Sequence, residues 1–216
     1  MTHRDQTRMI SRRLFALRVA AMLALASAGA PGCGRSPIGP APPETVIAFG
    51  DSLTAGFGTT GNGDYVSLLS NRTGVPIINA GRIGDTTADA LGRIDSAVLA
   101  RGPDIVIVLL GGNDLLQGVP VQQRISNITT IVHQIAAEGA VVILVGVGSP
   151  PIDPFEGALA GIASQASSRY VPAILDGIFG VPGLMADAIH PNNAGHAIMA
   201  DRIEPALRAA LAVVFP

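Results

Sequence analysis

Residues 45–54 read Thr-Val-Ile-Ala-Phe-Gly-Asp-Ser-Leu-Thr, an apolar and partly β-branched run that leads into a glycine and two polar residues. An apolar run of this length without polar alternation predicts a strand at residues 45–49 that is buried on both faces of a sheet. The glycine then opens a loop, which places Ser52 at the carboxyl end of that strand. This stretch therefore predicts both a buried sheet and a polar side chain at its edge.

Similar runs recur along the chain and alternate with segments of helical spacing. The further strands are predicted at residues 75–78, 105–110, 141–147 and 171–175. The helices are predicted at residues 64–72, 87–100, 121–138, 158–170 and about 191–214. Such alternation indicates an α/β protein with a five-stranded parallel sheet covered by helices on both faces. Ligands of these sheets bind beyond the carboxyl ends of the strands, where the strand order reverses.

Two other predicted strand ends carry groups that can support chemistry. The second strand leads into Asn79-Ala80-Gly81, where the glycine leaves a backbone N–H exposed. The third leads into Gly111-Gly112-Asn113-Asp114, and the side-chain amide of Asn113 can donate a hydrogen bond to a developing oxyanion. The alternative for Ser52 and for Asn113 is a structural role in a turn or a helix cap.

A fourth motif, Asp187-x-x-His190, lies near the end of the chain. This spacing lets one turn bring the carboxylate to one imidazole nitrogen, which leaves the other nitrogen free to take a proton from a serine. The alternative is a capped turn without a catalytic role. Two common motifs of α/β proteins are absent from the sequence. The loop after the first strand has no lysine, so it does not match the phosphate-binding loop, and the chain contains no G-x-S-x-G nucleophile turn.

Taken in order, the four motifs resemble the four sequence blocks of the SGNH/GDSL hydrolase family. The resemblance covers about residues 44–214, and residues 79–88 followed by Leu-Leu-Gly-Gly-Asn-Asp are most similar to the bacterial thioesterase I, lysophospholipase L1 and arylesterase group. It implies a flavodoxin-like three-layer α/β/α sandwich, the SGNH hydrolase fold. The alternation of strands and helices supports this fold independently.

The resemblance also implies a role for each site residue. Ser52 is the expected nucleophile, His190 the general base and acid, and Asp187 the partner that orients His190. The expected oxyanion hole combines the backbone N–H groups of Ser52 and Gly81 with the side chain of Asn113. No cofactor or metal ion is expected, since the histidines lack ligand-like spacing.

We expect from these roles a serine esterase that hydrolyses short to medium acyl esters, thioesters or lysophospholipids. Two alternatives stay open: an O-acetyl esterase that acts on envelope polysaccharide, and a non-catalytic envelope lipoprotein that keeps the fold as a binding module. The chain has 6 Phe, 2 Tyr and no Trp, so it is poorly supplied with aromatic platforms for sugars. The presence of the whole Ser-His-Asp set argues against the binding module.

The first forty-three residues are predicted to serve export rather than folding. Residues 1–32 resemble a signal peptide, and either an ordinary or a twin-arginine route fits, because Arg12 and Arg13 precede its apolar region. Cys33 resembles the lipidated cysteine of a bacterial lipoprotein, although an incidental thiol behind a cleaved signal is the alternative. Residues 33–43 form a Pro/Gly-rich tether, and residues 44–216 form the hydrolase domain. We expect a membrane-anchored lipoprotein of the cell envelope, or otherwise a periplasmic or secreted protein.

The net charge of −2 conceals an uneven distribution. Residues 1–43 contain six arginines and one aspartate, a charge of +5, whereas the remainder contains 8 arginines and 15 acidic residues, a charge of −7. An acidic domain of this kind argues against nucleic-acid binding, which needs a basic surface. The single cysteine excludes an intramolecular disulfide.

Overall fold

A computed structural model of the protein describes residues 45–148 and 154–215, and a five-stranded parallel sheet lies at its centre. The strands are β1 (Val46–Gly50), β2 (Ile77–Gly81), β3 (Ile105–Leu109), β4 (Val141–Val145) and β5 (Arg169–Val171). Their spatial order is β2-β1-β3-β4-β5, and every neighbouring pair is parallel. The predicted α/β class with five parallel strands is therefore confirmed. The predicted leader, the tether and Cys33 lie outside the described residues.

Helices cover the sheet on both faces, as the alternating pattern predicts. They are α1 (Ser52–Ala55), α2 (Tyr65–Thr73), α3 (Thr87–Ala97), α4 (Gly112–Leu116), α5 (Val121–Ala137), α6 (Pro154–Gln165) and α7 (Asn193–Val214). Helices α2 and α7 pack on one face, and α3, α5 and α6 pack on the other. In the part of the chain that the structure describes, no helix is both long and apolar enough to cross a membrane.

The first strand shows why the sheet is buried on both sides. Val46 and Ala48 belong to the core beneath α2 and α7, whereas Ile47 and Phe49 belong to the core beneath α3, α5 and α6. All four side chains are inaccessible to solvent. The uninterrupted apolar run of the sequence therefore contributes to two cores, since alternate side chains of a strand point to opposite faces.

The fifth strand begins earlier than the sequence predicts. The predicted helix at 158–170 and strand at 171–175 correspond to a helix that ends at Gln165 and a strand at 169–171. Ser167 adopts a left-handed conformation with φ of 51°, which stops the helix. Pro172 lacks a backbone N–H and so ends the strand, while the buried residues that follow it form turns.

The second strand, predicted at residues 75–78, spans Ile77–Gly81 and lies at an edge of the sheet. Pro76 cannot donate to the sheet, so the strand begins at Ile77 and continues through the exposed Asn79 to Gly81. An edge strand is only partly buried and therefore tolerates a polar residue. The sequence pattern alone indicated the apolar half of this strand and missed the polar half.

The order of the strands creates a crevice at one edge of the sheet. The chain passes from β1 outward to β2 and then crosses back to β3 on the other side of β1. The connections after β1 and β3 therefore leave in opposite directions, and ligands of open α/β sheets bind at this reversal point. The segment that follows β1 contains Ser52, and the segment that follows β3 contains Asn113.

Candidate active site

Ser52 is the first residue of the one-turn helix α1, which follows β1 directly. The turn is held by Asp51, whose Oδ1 accepts a hydrogen bond from the backbone N–H of Leu53 at 3.0 Å. Gly56, with φ of 81°, ends the helix after four residues. Among the described residues, the backbone N–H of Ser52 has no acceptor. The turn thus leaves both the hydroxyl and the N–H of Ser52 at the crevice.

His190 and Asp187 complete a hydrogen-bonded chain that begins at Ser52. The Nε2 atom of His190 lies 3.1 Å from Ser52 Oγ, and its Nδ1 atom lies 2.8 Å from Asp187 Oδ2. Asp187 Oδ1 also accepts the backbone N–H groups of Ile189 and His190. These hydrogen bonds, that from Ile189 first and those from His190 next, lower the pKa of Asp187 to about 2. The carboxylate is therefore ionised at neutral pH and holds the His190 ring at Nδ1, with Nε2 directed to Ser52.

The segment that carries His190 is pinned by contacts that the sequence does not reveal. Met185 and Pro191 form a short antiparallel bridge that closes the segment. The Phe57 ring packs against the imidazole of His190, with the ring centroids 4.5 Å apart. At the neighbouring Gly58, a Cβ would lie only 2.7 Å from the carbonyl oxygen of Pro191. A glycine at this position therefore permits the close approach of the two segments.

Asn113 lies in α4, at the carboxyl end of β3. Its Nδ2 atom donates a hydrogen bond to the backbone carbonyl of Asp85 at 3.0 Å, which fixes the orientation of the amide. An amide nitrogen carries two hydrogens, so the second is available to a ligand. Asn113 lines the same cleft as Ser52 and His190. The structure thus brings four predicted site residues, Asn113 and the Ser52–His190–Asp187 set, to one edge of the sheet.

Gly81 has a different environment from that expected of an oxyanion donor. Its backbone N–H donates to Asn79 Oδ1 at 2.9 Å, and a Cβ at this position would collide with the backbone of α1 at Thr54 and Ala55. The structure therefore places Gly81 against the back of α1, with its N–H occupied. Gly84 lies three residues further and has no acceptor for its N–H among the described residues. Gly84 is not among the site residues predicted from the sequence.

A second polar network connects α1 to α2 and α7. Thr54 Oγ1 and the Tyr65 hydroxyl are 2.8 Å apart, and the backbone N–H of Tyr65 donates to His196 Nδ1 at 3.2 Å. Burial lowers the pKa of His196 to about 4, so its ring is neutral and can accept this hydrogen bond. His196 accordingly has a structural role inside α7.

The cleft beside Ser52 is open to solvent, has a cavity volume of about 100 Å³ and is mainly apolar. Its apolar lining residues are Leu53, Leu115, Leu116, Val147, Leu175, Phe179 and Ile189. Such a surface favours hydrocarbon over a charged or sugar-like ligand. Within residues 45–148 and 154–215, no group of three or more His, Cys, Asp or Glu side chains is arranged to hold a metal ion.

Three buried carboxylates lie beneath the cleft. Asp114 accepts hydrogen bonds from the backbone and hydroxyl of Thr87, and Asp85 is paired with Arg93. Asp51 has no cationic partner among the described residues. Burial, reinforced by the nearby charges of Asp85 and Asp114, raises its pKa to about 7.

The chain is similar to known proteins in both sequence and fold. It matches the model of the GDSL-like lipase/acylhydrolase family over residues 48–198. It is 33% identical to esterase TesA of Pseudomonas aeruginosa over 177 residues, which cover 76% of this chain and 88% of that protein. It is also 27% identical over 167 residues to thioesterase 1/protease 1/lysophospholipase L1 of Escherichia coli strain K12. This match covers 73% of this chain and 80% of that protein. The crystal structure of TesA, also 33% identical, matches 78% of this chain and 100% of its own with a TM-score of 0.74. The predicted family resemblance and three-layer fold are thereby confirmed.

The buried Asp51 predicts a pH-dependent stability. Its pKa is about 7 in the folded protein and near 3.8 in the unfolded chain. Between these values the folded state keeps a proton that the unfolded state loses, so its contribution to stability falls as the pH rises from about 4 to about 7. Asparagine at position 51 keeps a side-chain oxygen that can accept the backbone N–H of Leu53, and it carries no charge. We therefore expect Asp51→Asn to raise the melting temperature at pH 8, with the gain over the native protein shrinking towards pH 4.

Thermal unfolding by circular dichroism at both pH values measures this effect. The matched control is Asp95→Asn, because Asp95 is exposed on α3. A gain for Asp51→Asn that is equal at pH 4 and pH 8 would contradict the assignment of a raised pKa to this carboxyl group.

Proposed function

Because the chain belongs to the GDSL-like lipase/acylhydrolase family and is therefore a serine hydrolase that acts on esters, we propose that Ser52, His190 and Asp187 carry out its catalysis. The proposed substrates are esters and thioesters with short to medium acyl chains. The observation that carries the proposal is the continuous hydrogen-bonded chain from Ser52 Oγ through both imidazole nitrogens to the Asp187 carboxylate.

The first half of the proposed reaction forms a serine ester. Ser52 Oγ attacks the substrate carbonyl carbon while its proton passes to His190 Nε2. The ionised Asp187 stabilises the resulting imidazolium. The tetrahedral intermediate then collapses, the bond to the leaving alcohol or thiol breaks, and His190 Nε2 returns the proton to that group. In the second half, water repeats the attack on the serine ester and releases the acid.

The negative charge of the tetrahedral intermediate needs donors that are already in position. We assign two of them to the free backbone N–H of Ser52 and to the second amide hydrogen of Asn113. Gly81 was the predicted third donor, but it serves only if its N–H leaves Asn79 Oδ1. The unpartnered N–H of Gly84 is the better candidate because the next residue, Asp85, accepts the hydrogen bond of Asn113.

The apolar cleft supports an acyl chain as the group recognised beside Ser52. The thioesterase and lysophospholipase activities named for the Escherichia coli relative belong to that protein, and they support the same type of substrate here. An O-acetyl esterase for polysaccharide has less support, because Phe179 is the only aromatic residue besides His190 among the described residues that line the cleft. The ordered Ser-His-Asp chain likewise favours catalysis over a binding module.

The catalytic assignment is tested by variants of residues 44–216. We expect Ser52→Ala to lower kcat for p-nitrophenyl butyrate by about 10⁴–10⁶-fold, because no nucleophile remains. Asp187→Asn should lower it by about 10³–10⁴-fold, because the amide favours the wrong imidazole tautomer. Ser164→Ala, on the exposed side of α6, is the matched control and should retain full activity. Equal turnover by Ser52→Ala and the native sequence would refute the assignment.

The substrate assignment is tested by a series of p-nitrophenyl esters from acetate to palmitate. We expect kcat/KM to peak at short to medium chains, and Phe179→Ala to lower kcat/KM about tenfold for octanoate but little for acetate. A tenfold loss corresponds to one or two methylene groups that leave apolar surroundings. Val213→Ala, an exposed apolar residue near the end of α7, is the control. Activity confined to acetate would favour the O-acetyl esterase instead.

We also propose that the full chain is exported and held at the cell envelope by lipid on Cys33. The support is the order of signal-like region, cysteine and Pro/Gly-rich tether in the sequence. Several acyl chains on one N-terminus would suffice for stable anchoring. We expect Cys33→Ser to move the protein from the membrane fraction to the soluble fraction of cells that express the full chain. A native protein that is already soluble and cleaved before Cys33 would refute the anchor.

A further inference from the structure

Arg93 of α3 extends its guanidinium to the edge of the sheet where the proposed oxyanion donors lie. Its side chain is only 16% exposed, and the guanidinium carbon stands 4.5 Å from the centre of the Phe49 ring. Nη1 donates to the backbone carbonyl of Ala80 at 3.0 Å, and Nη2 donates to that of Gly50 at 3.0 Å. Nε donates to the carboxylate of Asp85. One side chain thereby joins the ends of β1 and β2 and the loop after β2.

Two of these contacts, those with Gly50 and with Asp85, lead to proposed oxyanion donors. The carbonyl of Gly50 lies at the end of β1, two residues before Ser52. Asp85 follows Gly84, and its own carbonyl accepts the amide hydrogen of Asn113. Arg93 is therefore the one side chain in the described residues that binds both the segment before Ser52 and the loop that orients Asn113.

The chemistry of the contact requires arginine. The guanidinium is planar and presents its donors in a fixed fork, so one side chain can bind these three acceptors at once in a defined geometry. Its charge is tolerated beneath the surface because the buried Asp85 carboxylate is its partner. A lysine would keep the charge but is a point donor on a flexible stem, so it cannot hold the three acceptors in one geometry.

We propose that Arg93 is the positioning residue of the oxyanion hole, in that it sets the distance between Ser52 and the loop that holds Asn113. The inference rests on the proposed function. Donors act on the tetrahedral intermediate only when they lie about 2.7–3.1 Å from its oxyanion, so small displacements of one segment lower kcat. Substrate binding in the apolar cleft does not use these donors, so KM should change little.

The first experiment compares Arg93→Met and Arg93→Lys with Arg169→Met. Arg169 is the matched control because its partly buried guanidinium also donates to a backbone carbonyl, that of Ala209, but lies on β5 away from Ser52. Rates are expressed per active site, counted by stoichiometric labelling of Ser52 with a fluorophosphonate. We expect both Arg93 variants to lose about 10–10²-fold in kcat with KM within about threefold, and the control to keep its kcat. Should Arg93→Met fail to fold, Arg93→Lys keeps the charge and the stem and supplies the same comparison.

The second experiment is a double-mutant cycle with Asn113→Ala. If Arg93 acts by placing the Asn113 donor, the fold loss of kcat in the double variant should be much smaller than the product of the fold losses in the two single variants. A purely structural role for Arg93 predicts losses that multiply. Losses that multiply, or an unchanged kcat in Arg93→Lys, would overturn the inference. The loss of activity in Ser52→Ala is measured alongside, so a failure of the proposed function is recognised separately.

Discussion

The position of β1 in the middle of the sheet is the constraint on which the rest of the structure depends. Its backbone is paired with β2 on one side and β3 on the other, and its side chains are buried in both cores. Buried N–H and carbonyl groups must be hydrogen-bonded, so this strand can present polar groups only where it ends. Ser52 lies at that end, and the reversal of the strand order beside it provides the open space.

The turn that carries Ser52 is held from both faces of the sheet by buried polar groups. On one face the Thr54 and Tyr65 hydroxyls and the neutral ring of His196 support α1, and on the other the Arg93 guanidinium binds the carbonyl of Gly50. A buried polar group destabilises the fold unless it is hydrogen-bonded. A network in which the groups are hydrogen-bonded therefore fixes the position of the segments that it joins. Asp51 is one costly member of the group, because its carboxylate is not paired with a cation among the described residues. The buried Nε2 atom of His196 also lacks a hydrogen-bond partner there.

The sequence was sufficient for the fold class and for most of the candidate site. Apolar runs predicted the five strands, because strands buried on both faces have little freedom in composition. Ser52 and Asn113 were identified because they follow predicted strands, and Asp187 and His190 because of their spacing. The resemblance to the SGNH/GDSL family then implied their roles. The errors lay where local conformation overrides composition. Ser167 ends a helix by adopting a left-handed conformation, and the edge strand β2 contains a polar residue that the apolar pattern excludes.

What the sequence by itself determined is therefore most of the candidate site residues and the parallel sheet that brings them together, since both follow from the residue types and their order. The tertiary structure alone decided how those groups are held. The contact of Phe57 with His190 and the bridge that Arg93 makes between β1 and β2 join residues far apart in the chain. The hydrogen bond that occupies the N–H of Gly81 depends on the local path of β2. Such contacts depend on distances of a few ångströms between packed elements, and the order and spacing of residues in a sequence do not specify them.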